Sequence, residues 1–418
     1  MNSTIAEKQS SPSLLGGAMI IAGTAVGAGM FSLPVAFSGM WFLWSLLALF
    51  VTWFFMLHSG LMVLESNLHY PVGSSYNTMV KDSLGSVWNI INGLSLVFVL
   101  YILDYAYISG GGSIVKHTVA EATGVDLPQK LAGISFAFVT ALIVWFSTKA
   151  VDRITTILLG AMVLCFVLSS GIMLDSFQPK LLLDFDGVKA GNSYWIFLFA
   201  ALPYCLTSFG YHGNVPSLMK YYGKEPKKIL KCLLYGTLLA LSIYALWLTV
   251  SFGNISRDGF QDIIAAGGNV GVLVEALSGS VDTGSLSVLL TIFANFAMAT
   301  SFLGVSLGLF DFIADKFSLP DTALGRFKTA LITFVPSTVG ATFFPDGFIY
   351  AIGYAGLVAT IWGAIVPALM VKTCRKKFGS GMYRVWGGNG LVYAVVGFGL
   401  LYASCHILAM MDLLPVYK

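Results

Sequence analysis

Long apolar runs recur down the whole chain, separated by short polar or glycine-containing stretches. They are Leu14–Phe37, Trp41–Ser66, Trp88–Val115, Leu131–Phe146, Ile154–Leu174, Tyr194–Met219, Ile229–Phe252, Leu286–Phe312, Phe327–Phe344, Phe348–Val371 and Leu391–Met411. Most approach or exceed the roughly 20 residues that a helix needs to cross a bilayer. The pattern therefore predicts an all-α integral membrane protein of eleven transmembrane helices. The connection around Gly39 is very short, so the first two helices are expected to be antiparallel neighbours. Two longer polar segments, Asp175–Ser193 and Asn254–Ser285, are expected outside the membrane, with short surface helices in the second around Gly267-Gly268-Asn269. No soluble domain is visible.

Two of the runs are poor continuous helices. The first contains Gly23-Thr24-Ala25-Val26-Gly27-Ala28-Gly29 followed by Pro34, and each glycine inside a helix costs about 1 kcal/mol relative to alanine. Gly23 and Gly27 alone would read as a GxxxG packing face. The sixth run carries Ser208-Phe209-Gly210-Tyr211-His212-Gly213-Asn214 between Pro203 and Pro216, and prolines flanking glycines do not make a continuous helix. The second break opens the second half of the chain as the first opens the first half. Five spans precede it, and an odd number inverts the second half relative to the first. Paired breaks in inverted halves point to a transporter's binding site, where half-helix ends and freed carbonyls meet the ligand. The expected organisation is an N-terminal tail at 1–13, a five-helix repeat at 14–174, a second, inverted repeat at 194–371 and an eleventh helix at 388–413.

Composition agrees with this class: 57% of residues are hydrophobic and 10% charged, against about 25% charged in soluble domains. The first polar dozen residues lead into a full-length span, so no cleavable signal is expected. With the N-terminus inside, seventeen of the 23 Lys and Arg fall on the cytoplasmic side and six outside, as the positive-inside rule requires. An odd number of spans then puts the C-terminus outside. No basic patch is interleaved with exposed aromatics, so nucleic acid is not an expected partner. Five cysteines without CxxC spacing read as packing residues. There is no HExxH, Cys/His cluster or GxSxG, so neither an enzyme, a metal nor a cofactor is expected. A channel would leave the paired breaks without a purpose.

Longer stretches carry a resemblance. Gly27-Ala28-Gly29-Met30-Phe31-Ser32-Leu33-Pro34, the segment from Ser208 to Lys224, Cys232 to Thr237 and Gly347 to Leu357 resemble the bacterial aromatic amino acid permeases. The likeness spans essentially the whole chain and leans to the tryptophan-specific branch. It implies a LeuT-type five-plus-five inverted repeat with discontinuous helices 1 and 6, plus one extra helix. It also implies proton-coupled import of an aromatic amino acid, foremost L-tryptophan, across the bacterial inner membrane. A permease of broader tyrosine and phenylalanine specificity, or a non-transporting sensor, would use the same site. No protein partner is required by this reading; beyond substrate and proton, only lipid is expected, with Lys372 to Lys377 touching anionic headgroups.

The implied site places the substrate carboxylate on backbone amides of Ala28, Gly29 and Met30 at a half-helix N-terminus. Carbonyls near Gly23 and Thr24, with Asn295 or Asp104, would take the ammonium, Gly27 and Gly210 leaving room for the backbone. Phe209, Tyr101 and Tyr105 would flank the ring. Two ionisable groups are candidates for proton coupling. Glu65 lies near the inner end of the second span; a carboxylate at the bilayer centre costs about 2.5–3.5 kcal/mol, and if desolvated it suits a proton carrier, whereas at the interface it merely faces water. His212 lies in the second break and could hold a proton or the substrate, or simply bond to a freed carbonyl. Asp104 departs from the family pattern, which has an uncharged polar residue there. It could bind the ammonium, join the proton path or pair with a tyrosine.

Overall fold

The computed structural model describes residues 13–281, 284–379 and 381–418. Of the N-terminal tail only Ser13 is therefore included. The described residues contain helices and turns and no strand.

The first apolar run is α1 (Leu14–Ala25) and α2 (Ser32–Phe37), joined by a 3-10 turn at Ala28–Phe31 and bent by 49°. Ser13 caps α1 by accepting from the Gly16 amide. The helix stops because Val26 and Gly27 are extended, Gly27 at φ −161°. Continuous helices follow: α3 (Trp41–Asn67), a short α4 (Tyr76–Leu84), α5 (Ser86–Thr123), α6 (Gln129–Phe146) and α7 (Thr148–Asp175). The polar segment after α7 holds two single-turn helices, α8 (Pro179–Leu182) and α9 (Phe185–Lys189).

The second half opens with α10 (Leu198–Thr207), a gap, a 3-10 turn at His212–Asn214 and α11 (Val215–Tyr222). Pro203 lies inside α10 and Pro216 in the first turn of α11, where its missing N–H does no harm. Then come α12 (Pro226–Phe252), the expected surface helices α13 (Gly259–Ala265) and α14 (Val270–Gly279), α15 (Gly284–Lys316) and α16 (Ala323–Phe343). The tenth run is α17 (Phe348–Thr360) and α18 (Val366–Phe378) around a π-turn at Ile361–Ile365, and α19 (Gly388–Met410) closes the chain.

Among the described residues, eight helices are long and apolar enough to cross a membrane, and the bent α1–α2 pair makes a ninth. The other two expected runs are built differently. One is the broken α10–α11, neither half of which spans alone; the other is α16, which carries Arg326, Lys328 and an internal Pro336. Leu94, Phe138, Ile157, Leu164 and Leu400 lie exposed on the long helices, a surface suited to hydrocarbon and not to water.

Close backbone approach fixes pairs of helices against one another. α1 lies so near α12 that a Cβ on Gly236 would stand 2.6 Å from the Ala18 carbonyl oxygen. Between α10 and α17, a Cβ on Gly356 would stand 2.1 Å from the Pro203 carbonyl oxygen. α5 packs among α6, α15, α16 and α17.

The connections sort onto two ends. At one, Arg257 donates to the Gly39 carbonyl and its guanidinium lies over the rings of Tyr194, Phe197 and Tyr417, so three connections and the C-terminal tail meet there. At the other, the Tyr222 hydroxyl donates to the Ser13 carbonyl, Arg326 to the Trp145 carbonyl, and Glu65 meets Arg375.

Candidate functional site

The two breaks lie side by side and are tied together. The Tyr244 hydroxyl, fully buried on α12, points at both the Ala25 carbonyl (2.5 Å) and the Ser208 carbonyl (2.7 Å). Both oxygens are freed by helix termination, and one hydroxyl proton serves them in turn. On the open side of the breaks, Asn214 donates to the Thr24 hydroxyl at 2.6 Å. On the packed side, the Ala28 amide donates to Ser301 Oγ of α15 at 2.9 Å. Gly27 is required there, because a Cβ would fall 2.5 Å from that oxygen. Phe31, Phe166, Trp247 and Phe293 close the space beyond in a buried aromatic cluster.

Of the three amides expected to receive an anion, two are engaged: Ala28 with Ser301, and Met30 with the Gly27 carbonyl at 3.0 Å. Gly29 has open space where a Cβ would be. Gly23 and Thr24 are exposed. Phe209 is fully buried, edge-on to Tyr244. Gly210 faces Trp362 of the π-turn, whose ring edge would stand 3.5 Å from a Cβ. His212 is fully buried, stacked on Tyr211 and edge-on to Trp362, and neither ring nitrogen has a hydrogen-bond partner. A buried imidazole with both nitrogens unserved is costly.

The remaining expected residues stand elsewhere. The Tyr101 and Tyr105 hydroxyls donate to the Ile332 and Phe344 carbonyls. The two rings line a cavity of about 1070 Å³ between α5, α16 and α17, away from the breaks. Asn295 donates to Thr118 and to the Thr291 carbonyl, toward the end of α15 where Glu121 also bonds Thr291. Asp104 is fully buried between α5 and α15, accepting from Ser306 Oγ at 2.9 Å.

Glu65 is no lone carboxylate. Arg375 grips both its oxygens, Nε to Oε1 at 2.7 Å and Nη2 to Oε2 at 2.8 Å, and the Val385 amide adds a third bond at 2.7 Å. Two residues further along α18, Lys377 pairs with Asp82, which Tyr70 also serves. These two donors hold the Asp82 carboxyl below its ordinary range, Lys377 foremost. Burial pushes the nearby His69 imidazole down, partly offset by Glu65.

Tyr244, Ser301, Asn214 and Trp362 escaped the sequence reading. Each is an ordinary residue in an apolar or loop stretch. Only the place of Ser301 near Thr300 in a deep span hinted at a polar contact. No group of three or more His, Cys, Asp or Glu able to hold a metal ion occurs among the described residues.

With this geometry in hand, similarity to known proteins is informative. Residues 10–406 match the tryptophan/tyrosine permease family. The chain is 57% identical over 415 residues to the tryptophan-specific transport protein of Shigella flexneri, covering 99% of this chain and 100% of that one. It is 46% identical to the low affinity tryptophan permease of Escherichia coli K12, over 96% of this chain and 97% of the relative. Among solved structures, MhsT in complex with L-phenylalanine superposes with a TM-score of 0.61 at 15% identity, covering 96% of this chain and 98% of that one. That likeness speaks for the fold.

Proposed function

The chain belongs to the tryptophan/tyrosine permease family, and we propose that it imports L-tryptophan together with a proton across the bacterial inner membrane by alternating access. It is a transport protein and not an enzyme, as its family and relatives are permeases. The observation that carries the reading is the pair of helix breaks bridged by Tyr244 and by Thr24–Asn214. A transporter holds a small zwitterion at such a place, because half-helix ends and freed carbonyls offer both signs of partial charge.

In the proposed complex the substrate carboxylate meets the backbone at Gly29, where space is open, and the ammonium meets carbonyls beside Thr24. The ring lies against Phe209, Gly210 and Trp362, and His212 supplies the polar contact to the indole N–H. The architecture we favour is eleven crossings, a five-plus-five inverted repeat and one extra helix, with the N-terminus cytoplasmic and the C-terminus periplasmic. The excess of Lys and Arg at the end carrying Glu65 and Arg375 supports that orientation.

Uptake of labelled tryptophan into proteoliposomes, with an imposed proton gradient and no sodium, tests this directly. Accumulation that collapses with a protonophore and is competed by tryptophan far better than by tyrosine or phenylalanine is the expected result. Equal competition by tyrosine would overturn the specificity, and binding without accumulation would overturn symport.

A further inference from the structure

Among the described residues the buried ionisable groups include Glu65, His212 and Asp104. Both oxygens of Glu65 are already taken, by Arg375 and the Val385 amide. Protonated His212 would be a lone cation, since its neighbours Tyr211 and Trp362 present no carboxylate. Asp104 differs from both. Oδ1 accepts from Ser306, Oδ2 is buried without a partner, and none of the ion pairs among the described residues includes it.

We propose that Asp104 takes up the coupled proton, on the oxygen facing away from Ser306. This rests on the proton-coupled reading of the transport cycle. The step is protonation alone: the carboxylate and one H⁺ give the carboxylic acid, with no electron moved and no bond made to substrate. The loaded, closed state is then electrically neutral at its proton site, which is the condition for crossing a low-dielectric core. The ionised form cannot be accommodated in this closed packing without a cation, so loss of the proton favours a state in which water reaches the carboxylate. That differential is what coupling requires. One proton carried with a zwitterion also moves one positive charge per substrate.

The position of Asp104 connects it to the first break. Tyr107 stands three residues along α5 on the same face as Asp104. Ser306 is five residues beyond Ser301 on α15, about 7.5 Å along the axis, and Ser301 holds the Ala28 amide. Asp104 is thus bonded to the same helix, α15, whose Ser301 holds the first break. The other titratable groups around it are few. Tyr101 and Tyr107 share its helix, and Asp311 lies beyond Ser306 on α15. Lys130 sits in the first turn of α6. Arg326 and Lys328 sit at the start of α16, the former engaged by the Trp145 and Val144 carbonyls and Asp321. α17 contributes only Tyr350 and Tyr354.

The test separates coupling from substrate movement in proteoliposomes. Asp104→Asn is expected to lose proton-driven accumulation at least tenfold while labelled tryptophan still exchanges against internal tryptophan. Asp104→Glu is expected to regain accumulation. Ser306→Ala, which removes the carboxyl's hydrogen-bond donor, is expected to shift the pH profile of uptake. Accumulation by Asp104→Asn at the wild-type level overturns the proposal, and so does loss of exchange in a variant whose melting matches wild type. If Asp104→Asn does not fold, a pH profile of Ser306→Ala superimposable on wild type overturns it instead. Wild-type accumulation indifferent to a protonophore would sink the symport reading itself, a distinguishable failure.

Discussion

Gly27 and Ser301 illustrate how one atom can dictate a residue 274 positions away. The serine Oγ occupies the space a Cβ would take and bonds the next amide. Gly27→Ala should therefore destabilise by about 1–3 kcal/mol through overpacking, and Ser301→Ala by about 1 kcal/mol through the lost bond. The two should not add: with Oγ gone, the nearest Ser301 atom to the new methyl is Cβ at 3.7 Å, an ordinary contact. Thermal melting of the single and double variants in detergent should show the double close to Ser301→Ala alone. Simple additivity would show that Oγ is not what excludes the side chain. Gly27 was readable as special from its neighbours in the chain; its partner was not.

At the scale of elements, α18 is joined by one ion pair to α3 and by another to α4, and the two are of unequal weight. Glu65 and Arg375 are nearly buried, their side chains 3% and 10% exposed. Arg375→Ala strands a buried carboxylate and should cost about 3–5 kcal/mol, whereas Glu65→Gln with Arg375→Gln should cost markedly less. A double variant as unstable as Arg375→Ala would rule out an unpaired charge as the cause. Asp82 and Lys377 are 45% and 44% exposed, and screening limits such a pair to about 1 kcal/mol or less. The Asp82 carboxyl is depressed in the folded state, so its contribution is present above the ordinary value of 3.8 and is lost as pH falls through the lower folded value. The melting difference between wild type and Lys377→Ala should accordingly be small at neutral pH and vanish in acid. The helix breaks of α1–α2 and α10–α11 were visible as Gly and Pro clusters, because backbone freedom is a local property. The π-turn at Ile361–Ile365 was not, since Gly363 and Pro367 within one long apolar run do not mark a wider turn. Helix α4, though bracketed by Pro71, Gly73 and Gly85, is too short and polar to register as an apolar run.

For the whole molecule, the sorting of connections fixes which loops share an end, and the basic residues indicate which end is cytoplasmic. Alkaline phosphatase fused after Lys418 should be active and a fluorescent protein at the same place dark. The reverse pattern would invert the orientation or change the number of crossings. Membrane class, the places of the breaks and the family were legible in the linear chain, because bilayer thickness demands long apolar runs and glycine and proline act where they stand. The candidate site was legible only in part. Phe209, Gly210 and His212 meet at the breaks, yet Tyr101, Tyr105 and Asn295 are turned to other helices, and Glu65 finds its counter-ion 310 residues away. Helical periodicity states which positions share a face, but not which face of which helix lies opposite. That choice follows from the close approach at Gly236 and Gly356 and from the rotation of each helix in the bundle. Packing alone brings Tyr244 between two freed carbonyls and leaves one oxygen of Asp104 without a partner.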